Sequence, residues 1–289
     1  MLKLLHRRMM PVGLMRAWFT LHLLITVIGT HVGCRVISFF AYTLHVIPAP
    51  TAQALSRLWK HVAFKVWFAT NVPHLHLVQM PGSLPYSVLQ QGAICSCHCS
   101  FLDSLLFLFI APYSLLWNSR TFLKSSLRNL PLFGYALRCA GYFPVYFSDE
   151  RSASFSVNKE RQMMVSADVD EWVRKGKSLC FFPEGMMNRT PEVLKDFRLG
   201  SFNTILKHRM PLYYLVVHGN HEVWSPSLKG LPGFPADIYT YVGKYDYDPE
   251  EDANSLAAGL RREMQKHMDD MLARKKLDYK PWYAPSPVC

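Results

Sequence analysis

The sequence predicts an α/β domain, a mixed sheet flanked by helices, carried behind an N-terminal hydrophobic membrane helix or helical hairpin. Three observations carry that reading. An apolar run of spanning length lies near the start, over 17–34. Short apolar segments with strand character then alternate with segments of helical period. Half of the 289 residues are hydrophobic and 18% are charged, with 18 Phe, 14 Tyr and 7 Trp, richer in apolar side chains than an average soluble domain. The implied organisation is an anchor over 1–50, one sizeable domain over 51–252, and a closing amphipathic helix with a tail over 253–289; no repeat of 20–50 residues is visible.

The anchor begins with Lys3, Arg7 and Arg8 before the apolar run, and a second apolar stretch follows over 36–47, too short to span. A cleaved signal peptide has the same ingredients, but the core is long for one and no small-residue cleavage site follows. A single span and a hairpin turning at 29–33 both stay open, because basic residues flank the run on either side. Over 52–69, apolar residues at near-helical spacing alternate with Arg57, Lys60 and Lys65, which reads equally as a basic helix on a membrane surface or as a packed helix.

The domain then reads as strands over 74–79 and 93–97, a helix over 102–110, a strand over 115–123, a helix over 129–140 and a strand over 142–147. It continues with a helix over 157–175, strands over 178–182 and 211–218 separated by a helix over 200–208, and a late strand over 238–242. In the closing helix, over 254–275, Leu256, Leu260, Met264, Met268 and Met271 share one face. The tail from Asp278 reads as irregular, and its final Cys289 is misplaced for a prenylation box. In such folds ligands gather where strands end.

A net charge of +11 favours an anionic partner. No RNP-like, helix-turn-helix or zinc-finger pattern appears and the basic residues are dispersed, which excludes nucleic acid as the partner. Seven cysteines without a compact spacing read as reduced thiols in the cytosol. The sequon at Asn188 is short enough to arise by chance.

Three of those cysteines fall in GAICSCHCSFLDSLLFL, 92–108. On a strand Cys95, Cys97 and Cys99 share one face and His98 takes the other, so the four do not converge on a metal; small buried thiols are expected. His98 has a better partner in Asp103. A carboxylate in the first helical turn accepts the Nδ1 proton and leaves Nε2 as a base able to take a proton from an incoming hydroxyl. A second element is SLCFFPEG, 178–185, an apolar strand that stops at a Pro-Glu-Gly turn and sets Glu184 at a strand end.

In these blocks the chain resembles the glycerolipid acyltransferases related to 1-acylglycerol-3-phosphate acyltransferase. The resemblance runs over 92–218 through HCSFLD, Lys124 with LPLFGYALRCAGYFPV, FFPEG, DFRLGSF and MPLYYLVV, in that order. It implies a membrane-bound, acyl-CoA-dependent O-acyltransferase that converts 1-acylglycerol-3-phosphate to phosphatidic acid, with acyl-CoA as co-substrate, a lysophospholipid acceptor and no further cofactor or metal. His98 is then the general base, Asp103 orients it, and Glu184 and Gly185 help bind the acceptor. Lys124, Arg189 and Arg198 are candidates for the substrate phosphates. The implied location is the endoplasmic reticulum membrane with the domain facing the cytosol. The chain departs from the family pattern at Cys97, Phe147, Met187 and Tyr214, where the family usually has Asn, Arg, Arg and Pro; Arg151 and Arg189 lie near the missing arginines. These departures leave a lysophospholipid with a larger head group as an alternative acceptor, and an inactive lipid-binding scaffold as a third reading.

Overall fold

The computed structural model describes residues 1–148 and 157–278; Arg151 and the tail beyond Asp278 lie outside them. The short helix α1 (Leu2–His6) precedes α2 (Val12–Ser38), which a π-helical stretch, Phe39–Thr43, extends to a continuous apolar helix of 32 residues. Its length and composition suffice to cross a bilayer. Of the two readings left open, a hairpin turning at 29–33 is not what forms: the helix continues through those residues. The chain reverses over 44–48 instead, and α3 (Ala49–Val62) returns along α2. The glycines serve this packing: Trp59 Nε1 donates to the Gly29 carbonyl at 3.0 Å, and a Cβ at Gly33 would overlap the indole. Pro50 in the first turn of α3 sets the true start of the return arm.

A second π-helical stretch, Ala63–Phe68, carries α3 into α4 (Ala69–Asn71). Three basic residues of this arm face inward, and Lys65 is half-buried. Arg57, Lys60 and His61 are buried, while Trp59, Val66 and Trp67 are exposed. Arg57 donates to the carbonyls of Leu116, Trp117 and Ala140, and Lys60 Nζ donates to the Tyr142 hydroxyl at 2.8 Å. Burial pushes the Lys60 ammonium down to about 7.

The domain proper runs β1 (Leu75–Gln79), β2 (Ala93–Ser96), α5 (Asp103–Ile110), α6 (Tyr113–Asn118), β3 (Ser119–Lys124), α7 (Phe133–Cys139), β4 (Phe143–Val145) and α8 (Lys159–Arg174). It continues through β5 (Ser178–Phe181), α9 (Leu199–His208), β6 (Leu212–His218), α10 (Asn220–Val223), β7 (Ala236–Tyr245) and α11 (Ala253–Asp278). The strand expected over 115–123 begins only at Ser119, because Pro112 opens a helical turn that buries Leu115 and Leu116.

Seven strands form one sheet in the order β1-β7-β6-β2-β5-β3-β4. All neighbours are parallel except β6 and β7, so the sheet is mixed. The central strands β2 and β5 are buried at every residue, as expected of strands covered on both faces. The apolar face of α11 packs Leu256, Leu260, Met264, Met268 and Met271 into the same core, against β6, β7 and α9. Because β2, β3, β4, β5 and β6 run the same way, their carboxyl ends share one edge. That edge receives His98, Lys124, Phe147, Glu184 and Asn220, each at or just beyond the end of its strand.

Candidate active site

The chain leaves β2 at Ser96, passes through Cys97, His98, Cys99 and Ser100, and enters α5 at Asp103. A carboxylate at this point meets the backbone amides of the loop that leads into the helix. Asp103 Oδ2 accepts from the backbone N–H of Cys99 at 2.8 Å and of Ser100 at 2.9 Å, and lies 2.9 Å from His98 Nδ1. Asp103 Oδ1 accepts from the Asn220 amide. A carboxylate only accepts, so Nδ1 donates to it, and in the neutral imidazole that leaves the lone pair on Nε2. The Asp103 side chain is 1% exposed and that of His98 is 19% exposed, which shields the orienting group and leaves the base within reach of a substrate. The imidazole also stacks on Phe182, with ring centres 4.2 Å apart.

Glu184 is tied to the His98 loop through the backbone. It is 1% exposed, and its two carboxylate oxygens accept from backbone N–H groups, Oε1 from His98 at 3.0 Å and Oε2 from Lys195 at 3.1 Å. Asn188 N–H in turn donates to the His98 carbonyl at 2.6 Å. The segment after β5 therefore grips the His98 peptide from both sides. Burial pushes the Glu184 carboxyl up, against the pull of those backbone donors. Gly185 takes φ 71°, the left-handed conformation the turn after Glu184 needs.

The remaining sequence candidates are more scattered. Lys124 closes β3, two strands from β2, with its Nζ 5.4 Å from the centre of the Phe147 ring. Arg189 and Arg198 are exposed residues of the loop between β5 and α9. Asn188 is buried, with its amide spent on Val193 O and its carbonyl oxygen on Thr190, so the sequon is an internal turn. Cys95, Cys97 and Cys99 are buried, and burial pushes all three thiols up. Cys97, at the position of the expected asparagine, exchanges contacts with β6: its Sγ donates to the Val217 carbonyl at 3.3 Å and accepts from the Val217 N–H at 3.2 Å.

The residue that sequence reasoning missed is Asn220. It is fully buried, and besides holding Asp103 it accepts from Cys99 Sγ at 3.4 Å through its side chain and from Ser100 Oγ at 3.0 Å through its carbonyl. Gly219 before it takes φ 95°, and a Cβ there would strike the Asp237 carbonyl, so β6 can turn tightly enough to aim Asn220 at Asp103. Beside it lie His218 and His221, with ring centres 5.0 Å apart, pushed down by burial to about 3 and about 4.

A family model described as Acyltransferase matches residues 64–218, more than half of the chain. A chloroplastic 1-acyl-sn-glycerol-3-phosphate acyltransferase of Brassica napus is 25% identical over 198 residues, 68% of this chain and 51% of that protein. A 1-acyl-sn-glycerol-3-phosphate acyltransferase of Cocos nucifera is 28% identical over 184 residues, 63% of this chain and 53% of its own length. The chain thus spans about half the length of these curated relatives. The crystal structure of the 1-acyl-sn-glycerophosphate acyltransferase of Thermotoga maritima superposes with a TM-score of 0.61 at 14% identity, covering 93% of this chain and 98% of that one, a likeness of fold.

Proposed function

The chain belongs to the acyltransferase family, and on that premise we propose that it moves a fatty acyl chain from acyl-CoA to the free hydroxyl of 1-acylglycerol-3-phosphate, giving phosphatidic acid. The observation that carries the reading is the 2.9 Å contact between His98 Nδ1 and Asp103 Oδ2, which orients an accessible imidazole base. His98 Nε2 takes the hydroxyl proton as the oxygen attacks the thioester carbonyl. The tetrahedral oxyanion collapses with cleavage of the C–S bond, and the imidazolium returns its proton to the departing CoA thiolate. No covalent acyl-enzyme is needed. Base catalysis of this kind contributes about 10² to 10⁴ in rate, and holding hydroxyl and thioester side by side adds to it.

A second acceptor, a lysophospholipid with a larger head group, is favoured by Phe147 and Met187 standing where the family usually carries arginines. The enzyme works at a membrane surface, with α2 as the anchor: its exposed side chains include Leu21, Leu24, Ile25, Ile28, Val32 and Val36. We place the domain on the cytosolic side of the endoplasmic reticulum, in keeping with the free cysteines at 34, 95, 97, 99, 139 and 180. Mass spectrometry of products from a mixed lysolipid panel with several acyl-CoA lengths tests the acceptor. Phosphatidic acid as the main product supports the first reading; acylation of another head group alone replaces it with the second, and no acylated product from any lysolipid contradicts both. Subcellular fractionation tests the organelle.

A further inference from the structure

The closing helix α11 carries no candidate catalytic residue, and the sequence pattern marks only its apolar face. Its polar side chains nonetheless meet both supports of the His98 loop. The first support is the segment after β5. Arg198 N–H donates to the Pro183 carbonyl at 2.7 Å, which closes 183–198 into a compact loop. Near the start of that loop Glu184 and Asn188 grip the His98 peptide. Near its end stands Lys195, whose N–H holds the second oxygen of Glu184.

Two residues one turn apart on α11 bind this far end of the loop. Gln265 Oε1 accepts from Leu194 N–H at 2.8 Å, and Gln265 Nε2 donates to the Glu192 carbonyl at 2.9 Å. Arg261 donates Nε and Nη2 to the Leu194 carbonyl at 3.1 and 2.9 Å, and its Nη1 lies 3.3 Å from Asp196 Oδ1. The Leu194 carbonyl and the Lys195 N–H belong to one planar peptide unit, so a guanidinium fork that fixes the carbonyl also aims the N–H at Glu184.

The second support is the turn after β6. Asn220 holds Asp103, and the Trp224 carbonyl accepts from Ser100 Oγ at 2.8 Å and from Phe101 N–H at 3.3 Å. Between those two residues Glu222 takes Lys275 of α11 as its partner, with side chains 20% and 29% exposed. An ion pair so shielded is stronger than one in open water. Lys275 stands ~21 Å along the helix axis from Arg261, so one rigid element reaches both supports. Leu260, Met264, Met268 and Met271 seat it in the core between them. We propose that Arg261, Gln265 and Lys275 are positioning residues, and that α11 is a strut fixing the His98 peptide through Glu184 and the Asp103 carboxylate through Asn220. The inference rests on the reading that His98 and Asp103 perform the acyl transfer. Displacing a base from its substrate slows the chemical step and spares binding.

The test uses the full chain in lipid nanodiscs and two readouts: hydrogen exchange of the segments around His98 and Lys195, and kinetics with acyl-CoA and lysophosphatidic acid. In Arg261→Met and Gln265→Met, exchange around both residues speeds up about tenfold. Their kcat falls by a similar factor while both KM values stay within about twofold. Arg261→Lys, which keeps a donor for the Leu194 carbonyl, returns kcat to within about threefold of wild type. Lys275→Glu sets two carboxylates together and lowers kcat about tenfold, and adding Glu222→Lys to it restores the pair and the rate. Variants that lose melting temperature yet keep kcat and the slow exchange at His98 would reduce α11 to packing and overturn the inference. So would a raised KM for lysophosphatidic acid at unchanged kcat, or a charge swap that regains the melting temperature without the rate. Faster exchange at His98 in the variants of a wild type that acylates no lysolipid would support the strut and contradict the proposed function.

Discussion

Around Asp103 four donors converge on one carboxylate, whereas around Arg57 three carbonyls converge on one guanidinium. Both clusters are buried and both join segments far apart in sequence. They differ in what remains free. At Asp103 one of the four donors is an imidazole that reaches the surface, so the cluster ends in a group able to exchange a proton. At Arg57, Nε, Nη1 and Nη2 are all spent on the carbonyls of Leu116, Ala140 and Trp117, and neighbouring Lys60 ends on Tyr142. The first arrangement suits chemistry; the second ties the arm that returns along α2 to the domain. Buried charge alone does not mark an active site.

Substitutions that separate activity from stability sharpen this contrast. The largest effect is expected from Asp103→Asn. The amide no longer holds His98 in the right tautomer, and kcat falls by about 10² to 10⁴ while the circular dichroism spectrum is retained. Arg57→Met works the other way. It strands the three carbonyls, lowers unfolding free energy by about 3–5 kcal/mol in denaturant titrations, and leaves kcat per folded molecule nearly unchanged. If Arg57→Met abolished turnover in fully folded protein, the division between the two clusters would fail.

Asn220→Ala removes one hydrogen bond to a charged group, worth about 1.5–3 kcal/mol, so kcat falls about tenfold or more with little change in KM. A purely structural role would lower the melting temperature and spare kcat. The smallest effect concerns His218 and His221, which burial holds neutral in the fold with pKa values near 3 and 4 against 6.5 when unfolded. Between about pH 6.5 and pH 4 the unfolded chain binds the extra protons, so stability falls as pH falls through that window. The double variant His218→Gln, His221→Gln should show a shallower loss in urea melts across it.

How much of this was legible in the sequence follows from how local each feature is. The His98–Asp103 pair is five residues apart, and strand, turn and helix start were all readable there. Asn220 is 117 residues from Asp103, and only the parallel pairing of β2 with β6 brings it alongside. Glu184 was readable at its strand end, but its partners are backbone amides, which carry no residue signature. The return arm misleads in a physical way. Its period was right, yet Arg57 and Lys60 point inward and Trp59 and Trp67 outward, since its outer face is apolar and the buried carbonyls of Leu116, Trp117 and Ala140 need donors.

The most direct test of the central claim is release of free CoA thiol from acyl-CoA by purified protein, with and without lysophosphatidic acid, for wild type and His98→Ala. The account predicts thiol release by wild type only when lysophosphatidic acid is present, and a loss of at least about 10² in the variant with its fold intact. Equal lysolipid-dependent release by wild type and His98→Ala would contradict it.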